Sequence, residues 1–139
     1  MKAQPPRDAF GGFDPSAYEA EVSERWGDTD AYRESSRRTS AYSREDWERI
    51  TAEADEIESA FADCLTSGEQ PEGPRARELA ERHRLHIDAA YYPCSHEMHC
   101  ILADMYVGDE RFARHYDDRA PGLAAYVRAA IVANAIARA

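Results

Sequence analysis

From position 14 onward, apolar residues return every three or four positions between short polar breaks, the pattern of successive amphipathic helices. Asp14-Pro15 opens the first. Asp14 can accept the free amides of a first turn, and Pro15 fits where its missing N–H has no partner to lose, so a helix runs to about Gly27 with Tyr18, Val22 and Trp26 in one narrow stripe. Thr29 caps a second, short helix through Tyr32 and Ser36, but Arg33 to Ser40 offer little to bury. Ordering costs about 1–2 kcal/mol per residue, and a weakly packed element recovers little of it. Residues 13–42 are therefore expected to be mobile, and the Pro- and Gly-bearing residues 1–12 to be a disordered start.

The strongest signal begins at Ser43, where Ser-Arg-Glu-Asp places an acid three residues after the cap. Trp47, Ile50, Ala54, Ile57, Phe61, Cys64 and Leu65 then keep a helical period up to Gly68, opposite an acidic face of Glu45, Glu48, Glu53, Asp55, Glu56, Glu58 and Asp63 that reads as solvated. After the breaks at Pro71 and Gly73-Pro74, Leu79, His83, Ile87, Ala90 and Tyr91 form the next stripe, which Pro93 stops. Ser95 caps a helix with Met98, Ile101, Leu102 and Met105 facing inward. Gly108-Asp109 ends it and caps another carrying Phe112, His115 and Tyr116. Ala120-Pro121-Gly122 opens the last, striped by Leu123, Tyr126, Val127, Ala130, Ile131 and Asn134.

No alternating β pattern occurs. About seven helices with short connections and Pro/Gly corners predict an all-α, globin-like or orthogonal domain with a stable core over residues 43–139.

Composition changes this picture in three ways. The 139 residues and 43% apolar content suit a single core. A formal net charge of −10 repels phosphate backbones and argues against unaided nucleic-acid contact. No apolar run reaches the roughly 20 residues of a membrane span and no signal peptide precedes the first helix, so a cytoplasmic location is expected. The three cysteines, Cys64, Cys94 and Cys100, form no CxxC pair and signal neither a disulfide framework nor a zinc knuckle.

Two constellations invite chemistry. His83/His86 and His96/His99 stand three apart on helices, spacing that can bring two imidazoles to one ion, but no carboxylate or thiolate is tied to them and HExxH is absent. Cys100 follows His96 by four residues, so an activated thiol is the second candidate, without a visible orienting group or oxyanion loop. A metal- or thiol-dependent enzyme is thus the minor reading; no cofactor is expected, and a binding domain the major one.

Two Trp, eight Tyr and four Phe are the other unusual supply. Trp47, Phe61 and Tyr126 belong to core stripes. Trp26, Tyr32 and Tyr42 fall in the weakly packed N-terminal third, and Tyr91, Tyr92, Tyr106, Phe112 and Tyr116 gather at the two central helix junctions. Such rings stack on planar heteroaromatic ligands with little entropy to lose, and Tyr adds a hydroxyl. With His96, Ile101 and Met105 beside them, these residues are the candidate ligand-lining set.

Four ordered motifs carry a likeness: Glu24-Arg25-Trp26-Gly27 with Thr29-Asp30-Ala31-Tyr32; Asp46-Trp47-Glu48-Arg49-Ile50; Met105-Tyr106-Val107-Gly108-Asp109-Glu110-Arg111-Phe112; and Pro121-Gly122-Leu123-Ala124-Ala125-Tyr126. Together they resemble the TipAS antibiotic-recognition domain from about Phe13 to Ala137. The resemblance implies a globin-like domain that binds thiopeptide or other bulky heteroaromatic antibiotics, either as a free-standing short form that sequesters drug or as the effector half of a longer MerR-type activator with a fused DNA-binding domain. It also implies that residues 13–42 fold over bound ligand as a lid. The thiopeptide-binding branch is associated with covalent capture by a cysteine where this chain has Ile101; Cys100, one helical step of about 100° away, and Cys94 are the nearest thiols.

Overall fold

The computed structural model describes residues 29–139, in which six helices follow one another without strands: α1 (Asp30–Thr39), α2 (Arg44–Thr66), α3 (Pro74–Ala90), α4 (His96–Gly108), α5 (Glu110–Asp117) and α6 (Leu123–Ala137). The helix expected over 14–27 lies outside the described residues.

Each start has a local cause. Thr29, Ser43, Ser95 and Asp109 accept backbone N–H bonds from Tyr32, Asp46, Met98 and Arg111, satisfying donors that a helix cannot satisfy itself. Ser43 and Asp46 complete a reciprocal capping box, each side chain accepting from the other's backbone. The end of α2 is a Schellman turn: Gly68, at φ +78°, donates to the Leu65 carbonyl at 3.1 Å while Glu69 donates to Cys64 at 3.0 Å. Gly122, at φ +84°, admits the chain into α6, whose open first turn receives its acceptor from outside, the Asp117 carboxylate 2.9 Å from the Ala124 amide.

The core lies between α2, α3, α4 and α6. Ile57, Phe61 and Cys64 from α2 meet Ala76, Leu79 and Ala80 from α3 and Leu123, Val127, Ala130 and Ile131 from α6. Packing is closest between α4 and α6, which the alanines Ala103, Ala124 and Ala130 allow, all of them buried.

Two sequence expectations are corrected. Glu58, placed on the solvated acidic face, is buried and joins His115 at 2.9 Å and Arg119 at 3.2 Å. The inward face of α4 is rotated from the expected one. His99, Ala103 and Tyr106 are its buried residues, whereas Ile101 is 44% exposed and Met98 and Met105 are only half-buried. The alanine-lined face of α6 admits α4 only along a small residue, and Ala103 sits between two rings that find partners inside, so packing overrides hydropathy.

The short helix α1 buries no residue, as its polar sequence implies. Two side chains reach from its end to the last turn of α3: Arg38 Nη1 donates to the Asp88 carbonyl at 2.6 Å, and the Tyr42 hydroxyl donates to the Ala90 carbonyl.

A Cβ at Gly122 would meet nothing within 4 Å, so the cost of a side chain there is wholly in the backbone. Urea unfolding of Gly122→Ala is expected to show a loss of about 1 kcal/mol. Gly108→Ala, at a helical position with equally open space, is expected to show none; equal stability of the two variants would contradict the left-handed requirement.

Candidate functional site

The aromatic residues gather in a strip with two ends, one at the corner after α3 and one at the corner between α4 and α5. At one end the Tyr42 ring stands edge-on to Trp47 at 5.5 Å, and Trp47 lies 6.5 Å from Tyr91. Tyr91 in turn meets the ring of His86, which Glu53 holds at 3.0 Å. At the other end Tyr106 contacts Phe112 at 5.7 Å and Tyr116 at 5.3 Å. Tyr92, next to Tyr91 at the corner between α3 and α4, is half-buried. Burial pushes the hydroxyl pKa of Tyr91, Tyr92, Tyr106 and Tyr116 up, so all four stay neutral and serve as hydrogen-bonding phenols.

Beside the strip, Ile101, Asp104, Met105, Gly108, Asp109, Glu110 and Arg111 line an open groove of about 800 Å³ at the α4–α5 corner. This size suits a bulky ligand. The same rotation of α4 that exposes Ile101 brings it and Met105 to this groove.

The structure separates the residues picked from sequence into three groups. Tyr42, Tyr91, Tyr92 and Phe112 are half-buried along the strip, and Ile101 and Met105 line the groove. Tyr106 and Tyr116, at 9% and 3% exposure, form the floor of the strip. Tyr32 is half-buried on α1, and His96 is bound to Glu81 at 2.9 Å. Trp26 lies outside the described residues. Trp47, read from sequence as core, is buried and yet occupies the middle of one end of the strip. Of the other groove residues, Gly108 to Arg111 stood out in sequence only as a helix end and as part of a family motif, and Asp104 not at all, since polar residues at a helix end read as an ordinary cap.

Beneath Tyr106 lies a buried imidazole pair. His83 Nδ1 and His99 Nε2 are 2.8 Å apart with the rings stacked at 5.0 Å, and Tyr106 stands edge-on to His83 at 5.9 Å. Burial holds both neutral, His83 at about 3 and His99 at about 4, from an ordinary 6.5; the mutual repulsion of two imidazolium charges adds to the drop in His83. With both rings neutral, one of the facing nitrogens donates to the other, and His99 Nδ1 is buried without a hydrogen-bond partner among the described residues. The histidines do not converge on one point: His86 goes to Glu53, His96 to Glu81, and His83 to His99.

The thiols point inward. Cys64 is fully buried and Cys94 is 1% exposed, while Cys100 packs half-buried against the core. Burial raises the pKa of all three, that of Cys94 to about 11. The charges that act on Cys100 are Asp104 and Arg128, so the His96–Cys100 spacing does not make an activated pair.

Comparison with known proteins places this geometry. The family model for the TipAS antibiotic-recognition domain matches residues 18–134. The chain is 51% identical over 129 residues to the HTH-type transcriptional activator TipA of Streptomyces coelicolor, covering 93% of this chain and 51% of that protein. It is 33% identical over 133 residues to the HTH-type transcriptional activator mta of Bacillus subtilis, covering 91% and 51%. Thus it spans about half the length of the curated relatives it matches. Among solved structures, TipAS of Streptomyces lividans in complex with nosiheptide, from a thiopeptide antibiotic multidrug resistance system, aligns with a TM-score of 0.88 at 50% identity over 95% of this chain and 92% of that one. The antibiotic binding domain of a TipA-class multidrug resistance transcriptional regulator aligns with a TM-score of 0.61 at 47% identity over 66% and 98%. The chain belongs to the TipAS antibiotic-recognition family.

Neutral burial of His83 and His99 has a definite pH signature. Below 6.5 the unfolded chain takes up protons that the folded chain refuses, so stability falls as pH drops from about 6.5 towards the folded values of about 3 and 4. At pH 5 each histidine accounts for a loss of about 2 kcal/mol. Urea titrations at pH 7 and pH 5 are expected to reveal this loss in the parent and less than half of it in the double variant His83→Gln/His99→Gln. A parent equally stable at both pH values would contradict neutral burial.

Proposed function

We propose that this TipAS family member captures a thiopeptide or similar bulky heteroaromatic antibiotic, with the Tyr42–Trp47–Tyr91–Tyr92 strip and the Ile101/Met105 groove as its ligand-facing surface. The observation that carries the reading is the Tyr42–Trp47–Tyr91 ring cluster, together with an open groove lined by Ile101 and Met105, in a family that includes a nosiheptide complex. Planar azole and pyridine rings stack on such a surface, and phenol hydroxyls match their nitrogens. The role is binding rather than catalysis, in a cytoplasmic protein. Among the described residues no helix is long and apolar enough to cross a membrane, and no three His, Cys, Asp or Glu side chains gather as a metal centre. In a longer protein with a DNA-binding half, the same capture would serve as the signal for transcription; alone, it would sequester the drug.

Residues 13–42 act as the lid in this reading. For its described part, residues 29–42, the support is energetic: a helix with no buried residue, tied to α3 among the described residues by side-chain bonds from Arg38 and Tyr42 to carbonyls, gains stability when a ligand supplies apolar surface. Capture is noncovalent, because Ile101 faces the groove while Cys94 and Cys100 are turned into the protein.

Titration with nosiheptide, followed by Trp fluorescence and calorimetry, is expected to give saturable one-to-one binding, weakened at least tenfold in Tyr92→Ala. Amide exchange over 13–42 is expected to slow on binding, and intact-mass spectra to show the unmodified protein mass. No binding of nosiheptide or thiostrepton would defeat the functional reading. Unchanged exchange with binding would defeat the lid, and a stable mass adduct would defeat noncovalent capture.

A further inference from the structure

The corner between α3 and α4, Tyr91 to Ser95, carries two rings of the strip but has no helical ladder of its own, and Pro93 within it donates no backbone hydrogen bond. Rings presented to a ligand from such a corner keep their place only if something else fixes the backbone beneath them.

Two side chains of α3 do so. Arg84 Nη1 donates to the Cys94 carbonyl at 2.7 Å, and the Asp88 carboxylate accepts from the Cys94 amide at 2.8 Å, so both backbone groups of Cys94 are held from α3. The Arg84 fork cannot swing, because Nε and Nη2 grip the two oxygens of Glu81 at 3.0 and 2.6 Å. Glu81 is itself fixed by His96 at 2.9 Å and by the Asn134 amide at 3.0 Å, which anchors the clamp to α4 and α6. Both Arg84 and Glu81 are largely withdrawn from solvent, their side chains 15% and 16% exposed.

We propose that Arg84 is a positioning residue for ligand capture: by clamping the Cys94 carbonyl it presets the α3–α4 corner and so holds Tyr91 and Tyr92 in the orientation a planar ligand stacks on. This rests on the reading that those two rings face the ligand. Arg84 touches no ligand in this scheme, and its effect passes through the corner backbone.

The test compares Arg84→Met and Arg84→Lys with Tyr126→Phe, which removes a hydroxyl bond to the Glu69 carbonyl at the far end of the core. Lysine retains the charge and the stem without the fork, and so keeps a folded comparison available if the methionine variant proves unstable. With all proteins folded by circular dichroism at low temperature, the nosiheptide dissociation constant is expected to rise at least tenfold in Arg84→Met and to an intermediate degree in Arg84→Lys. Exchange of the Cys94 amide should accelerate in both. Tyr126→Phe should lower the melting temperature while leaving affinity within twofold of the parent. Affinity within twofold of the parent in both Arg84 variants, despite faster Cys94 exchange, overturns the proposal alone. So does a loss in Tyr126→Phe equal to that in Arg84→Met, since affinity then merely follows stability. Failure of the parent to bind nosiheptide or thiostrepton removes the functional reading and this inference with it.

Discussion

A carboxylate withdrawn from water must be surrounded or it will unfold what surrounds it, and Glu81 is the point where this protein meets that demand. Its two oxygens receive Arg84, His96 and Asn134 from three different helices, and Arg138 approaches within 3.8 Å. The Arg84 guanidinium, first among these partners, holds the carboxyl well below the usual carboxylate range. Ion pairs of this kind add little net stability against an apolar alternative, but losing one partner leaves a charge stranded. The relative placement of α3, α4 and α6 is therefore selected by a geometric condition as well as by apolar burial: only one arrangement satisfies every donor at once. Ion-pair contacts of Glu58 with His115 and Arg119 likewise link α2, α5 and the turn after it.

How far the sequence foretold this arrangement depends on the range of the interactions. Caps are local, so Thr29, Ser43, Ser95 and Asp109 announce their helices within four residues, and the structure has them all. The stripes of α2 and α6 are equally legible because large aliphatic and aromatic residues fill them. The facing of α4 is not. Hydropathy ranks Ile101 and Met98 above His99, and only the presence of His83 opposite, with an alanine-lined α6 beside it, turns the histidine inward. Glu58 is hidden for the same reason, since its partners lie more than fifty residues away in sequence. For the candidate site, single aromatic residues were visible but their continuity was not, because Trp47 belongs by pattern to the core and by position to the strip.

The distribution of order along the chain fits a protein whose ligands vary in shape. The strip rests on a buried floor of Tyr106, Tyr116 and the imidazole pair, whereas among the described residues the side chains of Arg38 and Tyr42 tie α1 and the turn after it to carbonyls of α3. Under the proposed capture, a fixed stacking surface would supply affinity common to flat heteroaromatic molecules, and a loosely held segment would adapt to what differs among them. Neutral phenols and imidazoles keep the floor free of formal charge, so the energy of stacking is not spent on desolvating ions.

The Asp117 carboxylate, which caps α6 from the end of α5, has an evolutionary side. Helix α5 is only eight residues long, begins at the residue that closes α4, and ends by supplying the acceptor for the next helix. Its corner with α4 is the single residue Asp109, so one residue inserted there would rotate α5 by about 100° and pull that carboxylate off its amide. Length variation among relatives should therefore collect between α2 and α3, where Ser67 to Gly73 already turns back on itself, and be purged from Gly108 to Asp117.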